Sequence, residues 1–138
     1  NVIAYEVDQE LCSILNSRFA SNIKEGHLRL IGESVLEHWG ATRLQEGAYQ
    51  LVANLPYYVA TRIVLNALKD PACRRLRVMV QQEVAEKFAA KSGEREFCAL
   101  SVLAESVGDR SIMLRVPPEA FTPPPKVDSA VLVIEKSL

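Results

Sequence analysis

The sequence predicts an α/β protein, a mostly parallel three-layer α/β/α sandwich that ends in an antiparallel hairpin. Two observations carry this. Short apolar, β-rich runs alternate with stretches whose apolar residues recur at helical spacing. The last two β-rich runs are joined by a proline-rich connection with no helix signal, whereas a parallel return needs a long crossover, usually helical.

The elements follow in order. Residues 2–7 read as a strand ending in the acidic pair Glu6 and Asp8. Asp8 suits the N-cap of a helix that carries Leu11, Ile14, Leu15 and Phe19 on one face. Residues 28–31 form a second strand, followed by Gly32, Glu33 and Ser34. A loop or short helix covers 35–47, with Trp39 as a packing residue. Residues 49–53 are a buried strand that runs into Asn54-Leu55-Pro56-Tyr57. Ala60, Ile63, Val64, Ala67 and Leu68 then mark an amphipathic helix, closed by Asp70-Pro71. A strand at 76–80 leads to a helix at 84–90. Another helix carries Phe97, Leu100, Ser101, Leu103, Ala104 and Val107 and stops at Gly108. Strands at 112–116 and 130–134 complete the order, and five of the seven prolines lie in the connection between them.

With 138 residues, 49% of them hydrophobic, the chain is expected to form one domain with a real core. Its 16 basic and 17 acidic residues supply no positive excess, which by itself argues against a nucleic-acid partner. No apolar run approaches the roughly 20 residues of a membrane span, and no secretory signal opens the chain, so a cytoplasmic location is expected. Cys12, Cys73 and Cys98 are widely spaced and read as buried free thiols. His27 and His38 stand in separate contexts, and no metal site is expected.

Asn54 to Tyr57 fit one chemical task. The Asn54 side-chain oxygen and the Leu55 carbonyl can accept the two N–H groups of an aromatic amine, Pro56 fixes the turn, and Tyr57 offers a stacking face. The competing reading is an ordinary proline turn with a buried tyrosine. Phe121 is either the second aromatic wall of a base slot or a core plug. Glu6 reads as a solvated charge or as an acceptor for ribose hydroxyls. Glu33 reads as a surface charge or, if a nucleoside spans these strand ends, as an acceptor for an adenine amine. Arg74, Arg75 and Arg77 form a basic cluster whose default reading is a solvated face, with phosphate contact the weaker one.

With these residues in view, the chain resembles the ribosomal RNA adenine N6-dimethyltransferase family, the KsgA-type enzymes. The resemblance rests on Glu6-Val7-Asp8, Glu33, Asn54 to Tyr57, Gln82-Glu83-Val84, Leu100-Ser101-Val102 and the long run from Val116 to Val131. It implies a Rossmann-like class I S-adenosylmethionine-dependent methyltransferase fold. It also implies a parent enzyme that methylates adenines of small-subunit rRNA in the immature small ribosomal subunit. Glu6 and Val7 would meet the cofactor ribose, Glu33 and Ser34 its adenine, and Asn54 would border cofactor and target. Asn54, Leu55, Pro56 and Tyr57 would grip the target adenine, with Phe121 stacking from the other side. The family usually has Asp where this chain has Glu33. Its glycine-rich cofactor loop and first strand would precede Asn1, and its helical domain would follow Leu138. Residues 1–138 are therefore expected to be a partial catalytic domain, inactive alone and able to self-associate through an open sheet edge. Erm-type large-subunit enzymes, and a non-catalytic RNA-binding assembly or transcription factor on the same fold, are the alternatives.

Overall fold

The computed structural model describes residues 1–39 and 44–137, in two units that fall within Asn1–Ala41 and Thr42–Leu138. In the first unit, β1 (Val2–Tyr5) pairs in parallel with β2 (Leu28–Ile31), with Tyr5 opposite Ile31. The strand stops two residues short of the expected end, so Glu6 and Val7 lie beyond it. The Glu6 amide still donates to the Ile31 carbonyl at 3.0 Å. Asp8 caps α1 (Gln9–Arg18) as expected, its carboxylate accepting from the Glu10 and Leu11 amides. Phe19 breaks the helix, and a second short helix, α2 (Ala20–Lys24), follows where the sequence suggested one continuous element. Cys12 is the one apolar core residue of this unit among the described residues, and Leu11, Ile14 and Phe19 are exposed. The stretch expected as loop or short helix begins with α3 (Val35–His38); its residues 40–43 lie outside the described ones.

The second unit holds the core. Its sheet runs β3 (Tyr49–Asn54), β4 (Cys73–Gln81), β6 (Ser129–Lys136), β5 (Gly108–Val116). β3 and β4 are parallel, and β6 is antiparallel to both β4 and β5. The last strand thus inserts between its hairpin partner and the parallel pair. Every apolar residue expected on the buried face of α4 (Ala60–Lys69) is buried: Ala60, Ile63, Val64, Ala67 and Leu68. α5 (Gln82–Ala89) and α6 (Ala99–Glu105) follow, with Phe88 and Ala104 fully buried. Cys98, expected to be buried, is only half-buried at the N-cap of α6. The arginine cluster lies inside β4 rather than before it, and Arg75 pairs with Glu135, its partner across the ladder. The proline-rich connection contains one turn of 3-10 helix, Pro118–Ala120, because Pro pre-sets the backbone angle at the first position of a helical turn.

A buried polar network closes the end of this sheet remote from Asn54. Asp70, fully buried, accepts from the Tyr49 hydroxyl at 2.5 Å, the Leu44 amide at 2.8 Å and the Ala72 amide at 2.9 Å. Lys136 donates to the Ala67 and Asp70 carbonyls at the C-terminus of α4, where a cation complements the helix dipole. Burial, then the Asp70 hydrogen bond, pushes the Tyr49 hydroxyl far above its ordinary range. Burial pulls the Lys136 ammonium down. No helix among the described residues is long and apolar enough to cross a membrane.

Candidate active site

Asn54 is the last residue of β3, and the ladder continues one step further as the Leu55 amide donates to the Met79 carbonyl at 3.0 Å. Leu55 is 7% exposed and anchors the turn in the core. The Pro56 carbonyl then accepts from the Val59 and Ala60 amides, which starts α4. Proline thus ends the strand, because it has no amide to donate, and its carbonyl opens the helix. Between these fixed points the Leu55 carbonyl and the Asn54 side chain are left outside the ladder. No hydrogen bond among the described residues occupies either.

Asn54 and Leu55 both line a cavity of about 360 Å³. Its walls bring Asn54, Leu55, Pro56 and Tyr57 together with Phe121 and the prolines 123–125. Tyr57 is 47% exposed and lines this space, so the buried-tyrosine alternative does not hold. Phe121, half-buried, lines it too. The Thr122–Pro123 peptide is cis. Three further wall residues were given no site role in the sequence. Met79 and Val80 read only as strand and Ser129 only as part of the run from Val116 to Val131, and they reach the cavity because β4 and β6 are neighbours whose ends meet there. With two carbonyl-type acceptors, two aromatic rings and a rigid proline edge, the cavity suits a flat heteroaromatic ring that bears an amine.

Glu6, Val7, Glu33 and Ser34 all belong to the first unit. They lie at one end of two adjacent parallel strands, past Tyr5 and Ile31. The Glu6 carboxylate accepts from the Asp8 amide at 3.1 Å, which holds it at the start of α1. The Gln9 side-chain amide donates to the Gly32 carbonyl at 3.2 Å and ties the two strand-end loops together. The Ser34 hydroxyl accepts from the Leu36 amide at 3.2 Å and caps α3. Val7 is exposed. Glu33 pairs with His38, Nε2 to Oε1, at 3.4 Å, a contact the sequence did not suggest. The His38 ring also lies 5.4 Å from the Tyr5 ring, tilted by 56°. Burial raises the Tyr5 hydroxyl from its ordinary value, against an opposing pull from Arg29. Two carboxylates at adjacent strand ends can accept from the hydroxyls and the amine of a nucleoside.

Comparison with known proteins agrees with these features. The family profile described as ribosomal RNA adenine dimethylase matches residues 1–137. A protein of Helicobacter hepaticus named ribosomal RNA small subunit methyltransferase A is 49% identical over 99% of this chain and 48% of its own length. Its namesake in Aliarcobacter butzleri is also 49% identical, over all of this chain and 53% of its own length. The chain therefore spans about half the length of the curated relatives it matches. Among solved structures, the 23S rRNA methyltransferase ErmE superposes with a TM-score of 0.84 at 22% identity, over 99% of this chain and 52% of that one. A dimethyladenosine transferase from Plasmodium falciparum gives 0.80 at 23% identity, over 99% and 48%. Those two likenesses carry the Rossmann-like methyltransferase fold expected from the sequence. The profile match over nearly every residue, joined to relatives at about half identity, places this chain in the ribosomal RNA adenine dimethylase family.

Proposed function

We propose that the protein to which this chain belongs transfers methyl groups from S-adenosylmethionine to N6 of adenines in small-subunit rRNA. The observation that carries this reading is the cavity that joins Asn54 to Tyr57 with Phe121. S-adenosylmethionine, when bound, supplies an electrophilic methyl on a sulfonium. The residues of this chain prepare the acceptor. An adenine amine is a poor nucleophile, since its lone pair is delocalised into the ring. The Asn54 side-chain oxygen and the Leu55 carbonyl accept its two N–H groups and draw them out of the ring plane. The lone pair is then directed at the methyl, and the positive charge developing on nitrogen meets two fixed dipoles. Tyr57 and Phe121 sandwich the ring and replace the stacking it loses on leaving the RNA. Once one N–H proton has passed to water after the transfer, one N–H remains, so a second cycle is chemically open.

The residues present fit the nucleoside part of the cofactor. Glu6 and Glu33 stand at adjacent parallel strand ends, where the first accepts from ribose hydroxyls and the second from the adenine amine. Small-subunit rRNA is favoured as substrate because the relatives carrying that name are 49% identical, against 22% for ErmE. Substituting Asn54→Ala in a protein of the relatives' full length tests the reading. Methyl incorporation into small subunits lacking the modification should fall about 10²–10³-fold, while cofactor affinity, read by calorimetry, changes little. An unchanged rate overturns the assignment. Incorporation into large-subunit RNA instead would overturn the substrate.

A further inference from the structure

We propose that His38 is a positioning residue of the nucleoside subsite, holding the Glu33 carboxylate ready to accept from the exocyclic amine of the cofactor's adenine. This rests on the reading of Glu33 given above. Glutamate has one more rotatable bond than aspartate, and an unrestrained carboxylate on an exposed loop loses rotamer freedom whenever it binds. The Glu33 side chain is 57% exposed, so solvent alone does not fix it. The chain after it supplies the restraint. Ser34 caps α3, the Trp39 amide closes the turn on the Val35 carbonyl at 3.1 Å, and this single turn brings His38 back onto Glu33.

The contact engages one oxygen only, with Nε2 at 3.4 Å from Oε1. Oε2 remains to accept from a ligand. The imidazole also packs against the Tyr5 ring. Tyr5 is the last residue of β1 and the neighbour of Glu6, so one ring links the ends of both strands that carry the two carboxylates. An exposed side-chain contact of this kind contributes little to stability. Its consequence here is orientation, which is read in ligand discrimination rather than in folding.

The test measures binding to a protein of the relatives' full length with two probes: S-adenosylhomocysteine, and its analogue in which the purine 6-amine is replaced by hydrogen. His38→Ala should weaken the amine-bearing probe about 5-fold and leave the analogue unchanged. His38→Gln, which keeps a donor, should recover much of the loss. His38→Phe, which keeps the ring against Tyr5 without a nitrogen, should behave as the alanine variant does and controls for packing. Equal weakening of both probes would show a purely structural ring and overturn the proposal, as would no weakening of either. Glu33→Ala, which removes the acceptor, separates the two roles. Amine-dependent loss with Glu33→Ala but not with His38→Ala overturns the role of His38 alone. No amine dependence with Glu33→Ala overturns the reading of Glu33, and His38 falls with it.

Discussion

The two units differ in where their apolar side chains go. Between residues 44 and 137 the buried set includes whole faces of α4, α5 and β4, whereas residues 1–39 contribute Cys12 alone. Pattern and partner both differ: α4 gathers its apolar residues on one face and has a four-stranded sheet in its own unit, whereas α1 is much less one-sided and has a two-stranded one. The cavity at Asn54 to Tyr57 belongs to the well-packed unit and the strand-end carboxylates to the thin one. The groups proposed to hold the target base therefore stand on the better-packed unit. The carboxylates rely on local devices instead: the cap at Asp8, the Gln9 bridge and the His38 contact.

The sharpest test of this contrast is a core truncation in the second unit. Phe88 is fully buried on α5, and Phe88→Ala should cost about 3–5 kcal/mol through lost burial and the cavity left behind. Denaturant unfolding of the 138-residue chain measures it. A loss below about 1 kcal/mol would mean that the second unit is no better packed than the first.

Gly108 tests the same unit by overfilling. It is the first residue of β5, opposite Lys136, and a Cβ there would lie 2.0 Å from the Glu135 carbonyl oxygen and 2.7 Å from the Lys136 Cα. Backbone atoms cannot step aside as a side-chain tip can, so Gly108→Ala should cost about 1–3 kcal/mol. Unchanged stability, measured in the same way, would show that the β5–β6 edge is loose.

The sequence made some of this legible and hid the rest for identifiable reasons. The buried face of α4 was readable because all five of its apolar residues recur at helical spacing and all are buried. Leu11, Ile14 and Phe19 recur at helical spacing too, in a less one-sided helix, and are exposed, because periodicity names a face and not what covers it. α2 was missed because five residues are too few to show a period of their own. Within the site, Asn54 to Tyr57 and Phe121 were readable from residue chemistry. Met79, Val80 and Ser129 were not, since their place in the cavity depends on β6 inserting beside β4. The Glu33–His38 contact was hidden by a helix of one turn.

The Asp70 network gives a pH-dependent version of the comparison. Tyr49→Phe removes the hydroxyl that donates to Asp70 at 2.5 Å, at an expected cost of about 1–2 kcal/mol near neutral pH. The folded chain holds the Tyr49 hydroxyl above its ordinary value of 10.0, so its protonated form is favoured by folding. That contribution is complete below about pH 10 and declines as pH rises further. Unfolding measured on both sides of that value should show wild-type stability falling more steeply than that of the Phe variant. Parallel curves would refute the role given to Tyr49.

The smallest effect is expected at Ile14, and it bears most directly on the thin unit. Ile14 is 55% exposed on α1, so truncation removes little buried surface. Alanine is also the better helix former, which offsets part of what is lost. Ile14→Ala should therefore change the stability of this chain by less than about 0.5 kcal/mol. Its apolar face then contributes nothing measurable in the chain as described. A loss above about 1 kcal/mol would show that Ile14 is buried in solution, and the contrast between the two units would have to be redrawn around a covered α1.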